Sequence, residues 1–266
     1  MFEKRNLKKS DCFIACSQQE AFFLDKLGYN KPIAIIPNGV DDIYIESIIH
    51  HSFKKNFLKN KGIPNDSKIL LFLSRVHPFK GLLLFLKSLA QIKNEFKENG
   101  WVFVIAGPDE LNHKKDLISF INKNKITDLV KFIGPVYGDE KLAILDAAKC
   151  FILPSKGENF GISVIEAMSR KKPVITTKNT PWQELITNNC GWWVERNLNS
   201  LCNVILELIK TDDESLKIMG LNGHSLVKNK YVWSKISNDY IDLYNWVISD
   251  FKIKDFKNLK IYKRKK

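Results

Sequence analysis

Glu158 and Glu166, with Arg75 and Lys80 far upstream, are the side chains in this 266-residue sequence whose types and surroundings could do chemistry. The stretch FILPSKGENFGISVIEAMSR (151–170) predicts an apolar strand ending at Pro154-Ser155, then a loop carrying Glu158, Asn159, Phe160 and Gly161, then a helix carrying Glu166. Two carboxylates held around a helix N-terminus suit a ligand bearing both hydroxyls and phosphate. Hydroxyls donate to carboxylates, and the helix's free N–H groups and positive end favour an anion. A carboxylate flanked by Ile165 and Ala167 needs a hydrogen-bonding partner, which vicinal ribose hydroxyls would supply. Glu158 could hold sugar hydroxyls, while Asn159, Phe160 and Gly161 offer backbone N–H groups and Gly161 lets a ligand approach closely. The spacing alone is weak: a surface acid followed by a helix-start glutamate that favours the macrodipole gives the same pattern.

Arg75 and Lys80 follow the predicted strand KILLFLS (68–74) in the string RVHPFKG. In an open parallel sheet, ligands bind beyond the carboxyl ends of the strands. An arginine fork and a lysine point charge there read either as a diphosphate clamp or as two solvated loop cations.

The elements that must position these groups are legible as apolar runs. Strands are predicted at 12–16, 33–37, 68–74, 101–107, 129–134, 150–155, 172–177 and 191–194. Helices are predicted at Gln18–Leu27, Leu82–Glu98, Leu111–Lys123, Glu140–Ala148, Ile162–Arg170, Leu198–Lys210, Glu214–Lys228 and Trp233–Asp250. Continuous Ile/Leu/Val/Phe runs suit strands covered on both faces, and strand–helix alternation predicts an α/β fold with a doubly wound parallel sheet. A polar stretch from about Asp41 to Asp66 separates the first strand–helix–strand from the main series.

Composition narrows the partners. The net charge of +13 predicts attraction to anions. Nucleic acid is not expected as a partner, because no helix-turn-helix, RNA-recognition or zinc-finger pattern occurs. Five cysteines at 12, 16, 150, 190 and 202, without a Cys-x-x-Cys pair, read as core thiols in a reducing compartment. His50, His51 and His113 lack metal-ligand spacing, and neither a Walker loop nor a Gly-x-Gly-x-x-Gly turn is present. Trp182, Trp192 and Trp193 read as packing groups. No apolar run approaches the roughly 18 residues of a membrane span, so the expected location is cytoplasmic.

Several motifs together resemble one family. SRVHPFKG (74–81), IAGP (105–108), FIGPV (132–136), LPSKGENFGISVIEAM (153–168), KPVITT (172–177) and TPWQELITNNCGWWV (180–194) are similar to the nucleotide-sugar-binding domain of GT-B glycosyltransferases, in the retaining group 1 type with a Glu-x7-Glu motif. ACSQQEAFFLDKLGY (15–29) and IIPNGV (35–40) extend the likeness, which runs from about residue 10 to 248. The resemblance implies glycosyl transfer from a nucleotide-diphosphate sugar with retention of configuration, in bacterial cell-surface polysaccharide or lipopolysaccharide synthesis. It implies that Glu158, Arg75 and Lys80 form the catalytic set. Arg75 and Lys80 would hold the diphosphate, Glu158 and the backbone of Asn159, Phe160 and Gly161 the sugar, Glu166 the ribose, and Val136 the edge of the base. It implies no metal or other cofactor.

The same resemblance divides the chain. Residues 1–45 are expected to be a remnant of an N-terminal acceptor domain with the interdomain connection, 46–232 the nucleotide-sugar-binding domain, 233–251 a crossing helix, and 252–266 a basic tail. Acceptor binding would then need an N-terminal-domain partner chain, and the alternative is a non-catalytic nucleotide-sugar-binding fragment. Residues 10–40 and the crossing helix, with its apolar positions Tyr240, Ile241, Tyr244, Val247, Ile248 and Phe251, are expected to leave an exposed apolar patch. The tail, KIKDFKNLKIYKRKK, reads either as a disordered solvated end or as an attachment to an anionic membrane surface.

Overall fold

The computed structural model describes residues 2–252 and 259–263. Among them are nine strands: β1 (Phe13–Ala15), β2 (Ile33–Ile35), β3 (Lys68–Leu73), β4 (Trp101–Ala106), β5 (Val130–Gly134), β6 (Ala148–Leu153), β7 (Val174–Thr177), β8 (Gly191–Val194) and β9 (Lys260–Ile261). The helices are α1 (Phe2–Lys9), α2 (Gln18–Asp25), α3 (Ile43–Glu46), α4 (His51–Asn60), α5 (Leu82–Gln91), α6 (Lys93–Glu98), α7 (His113–Lys123), α8 (Gly138–Ala147), α9 (Ile162–Ser169), α10 (Glu184–Thr187), α11 (Leu198–Lys210), α12 (Asp213–Lys230) and α13 (Trp233–Ile248). The chain forms two compact units, residues 43–228 and residues 1–42 with 229–266.

The larger unit is built on a six-stranded, all-parallel sheet in the order β5-β4-β3-β6-β7-β8. Its two innermost strands, β3 (KILLFL) and β6 (AKCFIL), are nearly continuous apolar runs because helices cover both faces. Phe72, Phe85, Phe103 and Phe151 are fully buried and fill the core around them. From β3 the chain winds outward to β4 and β5, then crosses back to β6 and winds the other way to β8. The reversal falls between β3 and β6, which creates a crevice at their carboxyl ends.

The expected α/β, doubly wound Rossmann-like sheet is therefore present, and each predicted strand has a counterpart within a few residues. Two differences have local causes. The single helix expected over 82–98 breaks at Ile92, which leaves helical geometry (φ −116°, ψ 27°) with its side chain buried. That bend lets Leu89 and Phe96 both reach the core. The polar stretch 41–66 contains α3 and α4; α4 buries only Phe57 and Leu58, too narrow an apolar stripe to stand out among its lysines.

The smaller unit has a three-stranded sheet, β1-β2-β9, with β9 antiparallel to β2. One face packs Ala34, Ile36, Ile236, Leu243, Trp246 and Leu259 together, and the other gathers Phe13, Ala15, Ala21 and Ile33. The basic tail expected over 252–266 is thus in part a strand: Leu259 is buried and Tyr262 packs beside β2. Residues 253–258 and 264–266 lie outside the described residues. Of the positions on and just after α13 expected to be uncovered, Ile241, Tyr244 and Ile248 are exposed, while Tyr240, Val247 and Phe251 pack against the first cluster.

Candidate functional site

The loops leaving β3 and β6 carry the first group of predicted residues to the crevice. After β3, a short 3-10 turn, Pro78–Lys80, ends at Gly81, which N-caps α5. The backbone N–H of Lys156 donates to the Phe79 carbonyl (2.8 Å), tying this turn to the loop after β6. Gly81 has φ 78°, and a Cβ there would lie 1.9 Å from the Pro154 carbonyl oxygen. Only glycine lets the two loops come this close, and the closeness brings Lys80 to Glu158.

Lys80 Nζ donates to Glu158 Oε1 at 2.6 Å, and Ser155 Oγ donates to the same oxygen at 2.6 Å. Both side chains of the ion pair are largely buried, at 13% and 11% exposure. At such a site the attraction between the charges is screened far less than on the surface. Gly161, in left-handed geometry (φ 88°), N-caps α9. Phe160 points into the core, with its ring 5.1 Å from that of Trp182, whose indole N–H donates to the Phe160 carbonyl. Phe160 therefore presents no side chain to the crevice, and Trp182 is a packing group. Trp192 and Trp193 are also packing groups, donating to Glu207 and to the Thr180 carbonyl.

Glu166 lies on the first turns of α9 and is buried. Its partner is Lys141 on α8, whose Nζ donates to Oε1 at 2.5 Å. The Lys141 ammonium sits 5.4 Å from the centre of the Tyr44 ring, on α3. Burial alone would lower the Lys141 pKa, but the Glu166 carboxylate and hydrogen bonding to Glu166 and Tyr44 outweigh it and hold the ammonium above its usual range. Burial, chiefly, pushes the Tyr44 phenol up. Val136 is buried between the end of β5 and the start of α8, the helix that carries Lys141.

Arg75 is placed differently from the expected clamp. Its Nη1 donates to both carboxylate oxygens of Glu110, at 3.0 and 2.8 Å, and the pair is well exposed. The cause is register: β3 and β4 are neighbours, and Val76 and Glu110 continue their backbone pairing beyond the strand ends. The structure thus brings together Lys80 with Glu158, and Lys141 with Glu166, and ties Arg75 to the next loop. Ser155, Lys141 and Tyr44 were not identified from sequence. Ser155 had a usable signal, three residues before Glu158. Lys141 and Tyr44 had none, because only tertiary folding brings them to Glu166.

Among the described residues no group of His, Cys, Asp and Glu is arranged to hold a metal ion, and no helix is long and apolar enough to cross a membrane.

The model of the glycosyl transferases group 1 family matches residues 53–225, and the chain belongs to that family. It is 26% identical over 211 residues to the O-antigen biosynthesis glycosyltransferase WclY of Escherichia coli, covering 79% of this chain and 55% of that protein. It is 29% identical over 223 residues to the Escherichia coli UDP-Gal:alpha-D-GlcNAc-diphosphoundecaprenol alpha-1,3-galactosyltransferase, covering 79% of this chain and 54% of that protein. The chain thus spans about half the length of the curated relatives it matches. The structure of HepE from Anabaena, in complex with UDP and glucose, superposes with a TM-score of 0.76 at 20% identity, over 89% of this chain and 63% of that one. The fold is the Rossmann-like fold of the GT-B glycosyltransferases.

Proposed function

We propose that this chain supplies the nucleotide-sugar site of a glycosyltransferase acting in cell-surface polysaccharide or lipopolysaccharide synthesis. One observation carries the reading. Two largely buried lysine–carboxylate pairs, Lys80–Glu158 and Lys141–Glu166, flank the Gly161 N-terminus of α9 at the sheet's reversal point. Each pair presents a cation and a carboxylate at one place, which suits a ligand combining phosphate and hydroxyl groups. Lys80 and the helix N-terminus would meet the diphosphate, Glu158 and the backbone at Asn159–Gly161 the sugar, and Glu166 the ribose. Arg75 would join the diphosphate by exchanging Glu110 for it. The edge of the base would lie near Val136. Relatives support a donor of this class: one is a galactosyltransferase that uses UDP-Gal, and HepE is seen with UDP and glucose.

The leaving diphosphate is proposed to be neutralised by Lys80, Arg75 and the helix N-terminus in place of a metal ion, and transfer to keep the anomeric configuration. The acceptor would be held by a further Rossmann-like domain, in the same polypeptide or a partner chain. The basic residues of 252–266 would draw the protein to an anionic membrane surface.

Calorimetric titration with UDP-, GDP- and ADP-sugars, with and without EDTA, tests the donor site. Selective binding of one donor is expected, unchanged by EDTA. A hydrogen bond to a charged group contributes about 1.5–3 kcal/mol, so Glu166→Ala should weaken that binding roughly tenfold or more. Binding of none of the donors, or equal binding by the variant, would count against the reading. Binding without transfer in the presence of a complete acceptor domain would assign the chain to non-catalytic nucleotide-sugar recognition.

A further inference from the structure

The surroundings of Glu166 are more elaborate than a helix-start glutamate needs. Arg170, at the C-terminal end of α9, forms a two-pronged ion pair with Asp146 of α8: Nε to Oδ1 and Nη2 to Oδ2, both at 2.7 Å. The pair is mostly buried, at 9% and 20% exposure. The remaining fork of Arg170, Nη1, donates to the carbonyls of Tyr44 (3.0 Å) and Ser47 (2.8 Å). These lie in and just after α3, a helix too short to satisfy its own final carbonyls. One arginine thereby fixes α3 against α8 and α9. Fixing α3 places the Tyr44 ring beside the Lys141 ammonium, which in turn grips Glu166 Oε1.

We propose that Lys141 is the positioning residue for Glu166, orienting its carboxylate for a vicinal diol, and that Tyr44, held on α3 by Arg170, keeps Lys141 in place. The proposal rests on the reading of Glu166 as the hydroxyl-binding acid. A diol bound to one carboxylate needs both oxygens correctly rotated. A lysine on Oε1 fixes that rotation and supplies the counter-charge that a buried carboxylate needs. An ammonium is a mobile point charge on a long stem, and its hydrogen bond with the Tyr44 phenol narrows where it can sit. The charged and titratable groups around this carboxylate are Lys141 from α8 and Tyr44 from α3. Arg170, one turn along α9, is taken by Asp146, and His224 of α12 is engaged with the Ser169 carbonyl at 2.7 Å.

The test is calorimetry on the full chain with UDP, GDP and ADP at pH 5.5 and 7.5, for the wild type, Lys141→Met, Lys141→Arg, Tyr44→Phe and Glu166→Ala. Affinities are compared as variant-to-wild-type ratios at each pH, which cancels the ligand's own phosphate titration. Lys141→Met should weaken the best nucleotide by about tenfold at pH 7.5. The loss should deepen at pH 5.5, because without its cation a buried carboxylate takes up a proton more readily as pH falls. Lys141→Arg keeps the cation and should show no added loss at pH 5.5; a loss that deepens for methionine but not for arginine is a contrast that a purely structural role for Lys141 would not produce. Wild-type affinity and a flat ratio for Lys141→Met, while Glu166→Ala weakens binding, would overturn the positioning role alone. Wild-type affinity for Glu166→Ala would overturn the underlying reading and this proposal with it. Should Lys141→Met fail to fold, Tyr44→Phe decides: a loss of about twofold or more supports the arrangement, and unchanged binding at both pH values overturns it.

Discussion

Gly81 and Gly161 show how single residues build this site, and they do so for different reasons. Both have positive φ, 78° and 88°. At Gly161 an added Cβ would meet Leu153 and Trp182 side-chain atoms at 3.4 Å, so alanine would bear mainly the left-handed backbone penalty. At Gly81 it would also lie 1.9 Å from a backbone oxygen, where no side chain can give way. Gly161→Ala should therefore destabilise by about 1–2 kcal/mol, and Gly81→Ala by about 3 kcal/mol or more, with separation of the Lys80 and Glu158 loops. Urea denaturation of the two variants checks this, and equal losses would refute the close-approach argument. The carboxylates and Lys80 were legible as site residues because their local strings place them at strand exits and a helix start. The Arg75–Glu110 pair was not, because it depends on which strands are neighbours, and Lys141 and Tyr44 lie 25 and 122 positions from Glu166.

At the scale of elements, the long strands announced themselves because burial on both faces demands uninterrupted apolar residues, as in β3 and β4. β9 gave no such signal. It is two residues long, lies among lysines, and exists only because Ile261 and Lys260 find Ala34 and Ile35 as partners. Its anchoring is nonetheless hydrophobic: Leu259 is buried with Ala34, Ile36, Ile236, Leu243 and Trp246. Truncating a buried leucine typically costs about 2–4 kcal/mol, so Leu259→Ala should lower the stability of the smaller unit by that amount. Calorimetric unfolding follows this transition, because the fluorescence of the chain's six tryptophans would mix the two units. If the larger unit unfolds separately, only the transition of residues 1–42 with 229–266 should move. A change below about 0.5 kcal/mol, typical of surface positions, would mean that β9 does not anchor the C-terminal segment.

For the whole molecule, the net charge of +13 is the property that no single element explains. The last fifteen residues contribute eight of the basic side chains against one acid, a local excess suited to an anionic surface. Deleting residues 252–266 would be a poor test of lipid attachment, because the deletion also removes Leu259 and β9 and would confuse unfolding with loss of charge. Replacing Lys263, Arg264, Lys265 and Lys266 with serine leaves Leu259 and β9 in the chain. Each basic residue near an anionic leaflet contributes about 1 kcal/mol, so losing four should reduce vesicle partitioning by at least about tenfold even if only some of them reach the surface. Flotation on vesicles rich in phosphatidylserine should recover the wild type and little of the variant, and neither should float on neutral vesicles or at high salt. Equal flotation of both proteins would move the membrane contact elsewhere. The exposed apolar residues of the smaller unit, Phe22, Phe23 and Leu27 on and after α2, would then be the next to substitute.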